Sequence, residues 1–218
     1  MKPGSFSRQT VILSGLYAFY AIVALLNILA GPRYSPPLVT PIVMALAGIA
    51  AILLTYEMRF KTIGAIAGIL VFLFFCQALG ANSGFPFGDF AYSSQLGPKV
   101  FDVPVIMPFA VLSFLVPAWV AADKVLRYRN AVVAAIIVTA FDAVLELAAD
   151  SLDLWHWRGG SPTELNYISW FGVSYVVFTI LQKYATEKEQ NPLVPHLLFA
   201  QLLCFALTDA GLRFLIRH

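Results

Sequence analysis

Long apolar runs separated by polar connections dominate this chain. Each run is close to the roughly 20 residues that an α-helix needs to cross the hydrocarbon core of a bilayer. A window of about 19 residues finds seven such runs, at 10–30, 38–56, 62–80, 103–122, 131–149, 167–185 and 193–213. The pattern predicts an all-α, polytopic integral membrane helix bundle. No linker is long enough to divide it, so we expect a single transmembrane domain over residues 1–218.

Two of the polar connections, 81–102 and 150–166, are long. Glycines and prolines in the first forbid a regular helix, while its phenylalanines and tyrosine keep it apolar. We expect this segment to lie in the membrane interface or to re-enter among the helices, where its backbone groups need protein or water partners. The second connection carries Trp155 and Trp157. Tryptophans at this depth are usually interfacial anchors.

Composition supports the membrane assignment. The chain has 218 residues, of which 60% are hydrophobic and 12% charged, and its mean hydropathy is +0.79. A net charge of +2 with scattered basic residues gives no sign of nucleic acid binding. Both cysteines lie in apolar runs and the three histidines are far apart, so the sequence predicts no disulfide framework, no metal site and no cofactor.

The distribution of lysine and arginine orients the bundle. The residues on the predicted inner side are Lys2, Arg8, Arg59, Lys61, Lys124, Arg127, Arg129, Lys183 and Lys188, and those on the outer side are Arg33, Lys99, Arg158, Arg213 and Arg217. Because cytoplasmic loops carry the excess of basic residues, nine against five predicts a cytoplasmic N-terminus. Both long connections then lie on the outer side. We expect the first apolar run to be a retained spanning helix and not a signal peptide.

The fifth run contains three carboxylates, Asp142, Glu146 and Asp150, spaced four residues apart. On an α-helix they share one face. An ionised side chain near the bilayer centre costs about 2.5–3.5 kcal/mol on insertion scales, so this face must look into protein or water. Helix ends are generally polar, and Asp150 has an equally good interpretation as a solvated helix end. Asp142, twelve residues into the run, is poorly explained in that way.

Acid–base chemistry is the function that this row indicates. A buried carboxylic acid holds its proton, and a second carboxylate nearby leaves one group protonated and one ionised. Such a pair can protonate a carbon–carbon double bond, and aromatic faces can stabilise the resulting cation. A magnesium–diphosphate site is an alternative, but the sequence lacks a second acidic cluster. A proton-coupled transporter is another, although its path needs polar groups on both sides of the midplane.

Several motifs together resemble one family. They are Gly84 to Tyr92 (GFPFGDFAY), Leu96 to Pro98, Val103-Pro104, Asp142-x-x-Leu-Glu146, Trp155-x-Trp157, and Asn166 followed by Trp170. In order and spacing they resemble the carotenoid 1,2-hydratases of the CruF type, over about residues 70–175. The family implies an integral membrane enzyme, here expected in a bacterial cell membrane, that adds water to the terminal double bond of acyclic carotenoid ends. The implied partners are a lipophilic carotenoid and membrane lipid, and a homo-oligomer remains open.

The resemblance also assigns roles to individual residues. Asp142 or Glu146 would donate the proton, the other would orient water, and Asp89 is a second candidate base. The expected substrate-binding residues are Gln77, Tyr92, Trp155, Trp157 and Trp170, with Asn166 holding water. Gln77 stands where the family pattern has an acidic residue. A carotenoid cyclase that uses the same protonation, and a non-enzymatic membrane protein that binds isoprenoids, are the alternative functions.

Overall fold

A computed structural model of the protein describes residues 8–34, 39–124, 127, 129–189 and 191–216. Seven α-helices account for most of this part of the chain. They are α1 (Arg8–Tyr34), α2 (Val39–Thr55), α3 (Phe60–Ser83), α4 (Met107–Lys124), α5 (Ala131–Ala149), α6 (Glu164–Tyr184) and α7 (Val194–Ile216). All seven predicted runs are therefore helical, and the predicted helical membrane bundle is confirmed.

Local capping explains where α5 begins and where α3 ends. The bounds of α5 coincide with the predicted run, because the Asn130 side chain accepts a hydrogen bond from the Val133 N–H at 2.8 Å and caps the first turn. Helix α3 extends past its predicted end to Ser83. It stops where Gly84 adopts a left-handed conformation, φ +74°, and donates its N–H to the Gly80 carbonyl at 2.9 Å.

Five of the described helices, α1, α3, α5, α6 and α7, are long and apolar enough to cross a membrane. Helices α2 and α4 are shorter apolar helices. Of the seven predicted spans, five are therefore long enough in the described part of the chain. Large apolar side chains point outward along the long helices, as at Leu29, which is 72% exposed. Such exposed apolar faces suit contact with lipid chains and would be unfavourable in water. The chain is an integral membrane protein.

Helix α4 lies at the centre of the bundle. Every residue from 110 to 122 is buried, and α2, α5 and α7 all pack around it. Its contact with α2 is close at Gly48, where a Cβ atom would lie only 2.4 Å from the Phe109 carbonyl oxygen. A polar contact joins it to α7, because the Ser113 hydroxyl donates to Gln201 Oε1 at 2.8 Å. The helix begins at Met107 and not at 103, because residues 103–104 form a strand.

Four short strands organise the two long connections: β1 (Phe90–Tyr92), β2 (Lys99–Val100), β3 (Val103–Pro104) and β4 (Trp155–Trp157). Strands β2 and β3 form a hairpin. Strand β1 pairs antiparallel with β4, so that Phe90 faces Trp157 and Tyr92 faces Trp155. The connection at 81–102 is thus non-helical after Ser83, as its glycines and prolines predict. Its backbone finds partners in the second long connection.

Candidate active site

A cavity lies where the two long connections meet the helix ends beside them. Its empty space amounts to about 500 Å³. Helices α2 to α6 and strands β1 and β4 all contribute to its wall. The lining residues are Met44, Gln77, Phe87, Phe90, Tyr92, Met107, Val111, Phe114, Asp142, Leu145, Glu146, Trp155, Trp157, Asn166 and Trp170. The wall is therefore mainly apolar and aromatic, with two carboxylates and two amides.

The two carboxylates are linked through one amide. Asn166 donates from Nδ2 to Asp142 Oδ2 at 2.8 Å and reaches Glu146 Oε1 at 3.4 Å. Asp142 and Glu146 lie one helical turn apart on α5, and Asn166 lies in the first turn of α6, which packs along α5. Asp142 and Glu146 thus share a face, as their spacing predicts. The third acid of the row, Asp150, lies exposed at the end of α5 and pairs with His156.

Glu146 receives two further hydrogen bonds, both from β4. Its Oε2 accepts from the indole nitrogen of Trp155 at 3.1 Å and from that of Trp157 at 2.8 Å. With the Asn166 amide, three N–H donors converge on one carboxyl group, an arrangement that matches the acceptor-only character of an ionised carboxylate. The two tryptophans therefore have a role beyond that of general interfacial anchors, because their N–H groups bind a partly buried carboxylate.

Asp142 lies deeper and has fewer partners. It is 1% exposed, and among the described residues its carboxyl group has one hydrogen-bond donor, Asn166. Phe141, next to it, stacks on Phe114 at 5.0 Å between ring centroids. The two acids on the cavity wall therefore have different surroundings: Glu146 is surrounded by donors, whereas Asp142 has one donor and mostly apolar neighbours.

Aromatic rings form much of the remaining wall. Trp170 lies 5.1 Å from Phe87 and 5.8 Å from Phe114, measured between ring centroids. On the β1–β4 side, Phe90 contacts Trp157 at 5.4 Å. Ring faces and edges thus surround the space beside the carboxylates. A cation formed in this space would be stabilised by the ring quadrupoles.

The last polar unit in the cavity is Tyr92 with Gln77. The Tyr92 hydroxyl donates to Gln77 Oε1 at 2.8 Å, and Gln77 in turn donates to the Leu73 carbonyl at 3.2 Å. Burial, and after it the neighbouring carboxyl groups of Glu146 and Asp142, raise the pKa of Tyr92 above its usual range. The phenol therefore remains a neutral hydroxyl that can hold a polar molecule by hydrogen bonds.

Comparison with known proteins agrees with this arrangement. The family model described as carotenoid biosynthesis protein matches residues 38–216. The chain belongs to that family. The matched region includes every residue that lines the cavity, so the site belongs to the part that the chain shares with carotenoid biosynthesis proteins. No curated protein and no solved structure matches the chain.

Eight of the nine residues singled out from the sequence line this one cavity. Asp89 is the exception. Its side chain is 55% exposed and pairs with Arg158 at 3.3 Å, outside the cavity. It precedes β1, in which Phe90 and Tyr92 face inward and Ala91 faces outward. The alternation of side chains along a strand directs neighbouring residues to opposite faces.

Sequence reasoning missed the apolar part of the lining. Met44, Met107, Val111 and Phe114 lie in mainly apolar stretches of α2 and α4, so no sequence pattern distinguishes them from residues that face lipid. Leu145 had a signal, because it is the leucine of the motif Asp142-x-x-Leu-Glu146. Phe87 had a signal, because it lies inside the motif from Gly84 to Tyr92. Its ring contacts those of Phe90 and Trp170.

Proposed function

We propose that this carotenoid biosynthesis protein hydrates the terminal double bond of an acyclic carotenoid end group. The observation that carries the proposal is that Asp142 and Glu146, linked through Asn166, line one cavity whose remaining wall is mostly apolar and aromatic. An unactivated alkene offers no group for hydrogen bonding or charge pairing. A site for it needs an acid, an apolar wall and a place for water, and this cavity has residues suited to each.

Asp142 is the proton donor in this proposal, because its single donor and deep burial suit the neutral acid. Its proton adds to the penultimate carbon of the chain end, and the π electrons of the double bond form the new carbon–hydrogen bond. The adjacent carbon, which carries two methyl groups, becomes a tertiary cation. The ring faces of Trp170 and Phe87 stabilise that cation until water arrives.

Glu146 is the group that orients and deprotonates the water molecule. Water donates its oxygen lone pair to the tertiary cation, and Glu146 accepts the proton that this water then loses. The product is a tertiary alcohol. Transfer of that proton from Glu146 back to Asp142 restores the starting state. Asp89 has no step in this scheme, because its carboxylate pairs with Arg158 outside the cavity.

Polar groups that can hold water beside the carboxylates favour hydration over cyclisation. The centres of water-sized molecules have about 40 Å³ in the cavity, whereas about 10–15 Å³ is enough for one water. The Asn166 amide and the Tyr92 hydroxyl supply polar partners beside this space. A cyclase would need water kept away from the same cation until a proton is lost.

The test is pigment analysis by liquid chromatography and mass spectrometry, in a bacterium engineered to accumulate lycopene. The wild-type chain is compared with Asp142→Asn and Glu146→Gln. Asp209→Asn is the matched control, because Asp209 also lies on a spanning helix but pairs with Arg213 at 2.8 Å, outside the cavity. We expect a product heavier by one water molecule from the wild type and the control, and its loss in both cavity variants.

Other pigment profiles contradict the proposal in distinct ways. An isomer of lycopene with unchanged mass and the absorbance of a ring end group indicates a cyclase. Unchanged lycopene, with folded protein shown to be in the membrane, rules out lycopene hydration and favours another isoprenoid or a binding role. A hydrated product that persists in Asp142→Asn removes Asp142 as the acid.

A further inference from the structure

A second hydrogen-bonded unit lies directly outside the cavity and is centred on His156. The Nδ1 atom of its ring lies 2.6 Å from Asp150 Oδ1, and the Nε2 atom lies 2.7 Å from Asp153 Oδ1. Asp153 also accepts a hydrogen bond from the Ser93 hydroxyl at 2.9 Å. The imidazole thus joins the end of α5 to the turn that follows it. Through Asp153, this unit also reaches Ser93, the residue after β1.

Two carboxylate partners define the charge state of this ring. A neutral imidazole carries one N–H and can donate to one carboxylate only, whereas the imidazolium donates from both nitrogens. The geometry with both contacts is therefore that of protonated His156. Hydrogen bonds from the imidazolium to Asp150, and then to Asp153, raise the pKa of His156 above its usual range, and they outweigh burial, which lowers it.

His156 is the central residue of β4, and its neighbours on both sides are Trp155 and Trp157. Successive side chains of a strand point to opposite faces, so the two tryptophans point to the cavity while the histidine faces outward. The indole groups bind Glu146 on α5, and the imidazole binds Asp150, four residues later at the C-cap of the same helix. Strand β4 is thus attached to α5 from both of its faces.

We infer that protonated His156 is a positioning residue, which holds β4 against the end of α5 so that both indole groups stay on Glu146. This inference rests on the proposed function wherever it concerns the reaction rate. Loss of one imidazole proton removes one of the two contacts and frees β4 on its outer face. The rate of hydration is therefore expected to fall as the pH rises through the titration of this histidine.

The other charged groups near β4 have partners of their own. Arg158 follows the strand and pairs with Asp89, at the start of β1, at 3.3 Å. Lys99 donates to the Tyr92 carbonyl at the end of β1, at 2.5 Å. In β1, the residue opposite His156 is Ala91, which carries no charge. Asp150 and Asp153 are the carboxylates in direct contact with the imidazole.

The experiment measures two quantities on the full-length protein in detergent micelles across a pH series. One is the rate of conversion of added lycopene, and the other is the tryptophan fluorescence of the same preparation without lycopene. His156→Gln retains one side-chain N–H donor group but does not titrate. His196→Gln is the matched control, because His196 contacts Tyr17 at 2.9 Å in the α1–α7 region, away from the cavity.

We expect both the rate and the fluorescence of the wild type and of His196→Gln to change together as the histidine titrates. In His156→Gln both transitions should disappear, and the rate at acidic pH should be about two- to fivefold lower, as suits a partly exposed ion pair. If both transitions persist unchanged in His156→Gln, the inference is wrong. If neither the wild type nor the variants form product, the hydratase proposal fails. The fluorescence transition alone then decides whether His156 positions the tryptophans.

Discussion

Replacing Trp157 with phenylalanine tests the central contact of the site with little change in shape. The substitution removes the indole N–H that donates to Glu146 Oε2 at 2.8 Å, and it leaves an aromatic ring to pack on Phe90. If Glu146 must be held in place to receive the proton from water, this loss slows the reaction without emptying the cavity.

The magnitude follows from what remains on the carboxylate. A hydrogen bond to a charged group contributes about 1.5–3 kcal/mol. Trp155 still donates to the same oxygen at 3.1 Å, so we expect a loss near or below the lower end of that range, about 1–2 kcal/mol, or roughly a 5- to 30-fold slower conversion. Among the described residues, the Trp155→Phe/Trp157→Phe double variant leaves Glu146 with one donor, Asn166 at 3.4 Å. Its loss should exceed the sum of the two single losses.

The assay is lycopene conversion in detergent, followed by chromatography, with unfolding measured on the same preparations. Trp119→Phe is the matched control. Trp119 is also a buried tryptophan whose indole donates to a glutamate, Glu187, at 2.9 Å, but it does not line the cavity. A wild-type rate in Trp157→Phe, or an equal loss in Trp119→Phe, would refute the idea that the indole groups position Glu146.

Two further predictions concern the central helix. Gly48→Ala places a Cβ 2.4 Å from the Phe109 carbonyl oxygen, so unfolding in detergent should show about 1–3 kcal/mol of destabilisation. Gly68→Ala is the control, because no heavy atom lies within 4 Å of its new Cβ; it should be neutral or stabilising by up to about 1 kcal/mol. If the two substitutions change the free energy of unfolding equally, the close approach at Gly48 is contradicted. Gln201→Leu leaves the Ser113 hydroxyl without its 2.8 Å acceptor and should cost about 1–2 kcal/mol. Most of that should return in the double variant with Ser113→Ala, and the absence of recovery would show that the two side chains are not coupled.

The helices and the shared face of Asp142 and Glu146 were accessible from the sequence for physical reasons. Apolar runs of membrane length leave little choice of secondary structure, and acids at helical spacing must share a face. Asn166 was assigned to the same site only through the family resemblance. Its hydrogen bond to Asp142 depends on how α6 packs along α5, which no local pattern predicts.

The strand pair was not accessible in the same way. Strands β1 and β4 are three residues each and lie in different connections, so their pairing depends on the tertiary fold and not on local pattern. Without that pairing, Trp155 and Trp157 resemble ordinary interfacial anchors. For the same reason the sequence could not separate Asp89 from the cavity, since its direction depends on where β1 begins.

The acidic row on α5 also explains why the proposed activity and stability should respond in opposite directions to one substitution. The buried carboxyl of Asp142 is costly in an apolar bundle, and the amide of Asn166, which lies outside α5, is its only hydrogen-bond donor among the described residues. Asp142→Asn keeps an oxygen that can accept from that amide, and it replaces a buried group that can ionise with one that cannot. Unfolding in detergent should therefore show equal or greater stability, while the hydrated product disappears. A large loss of stability would instead mean that the carboxylate is structural, and Asp142 would then have no claim to be the acid.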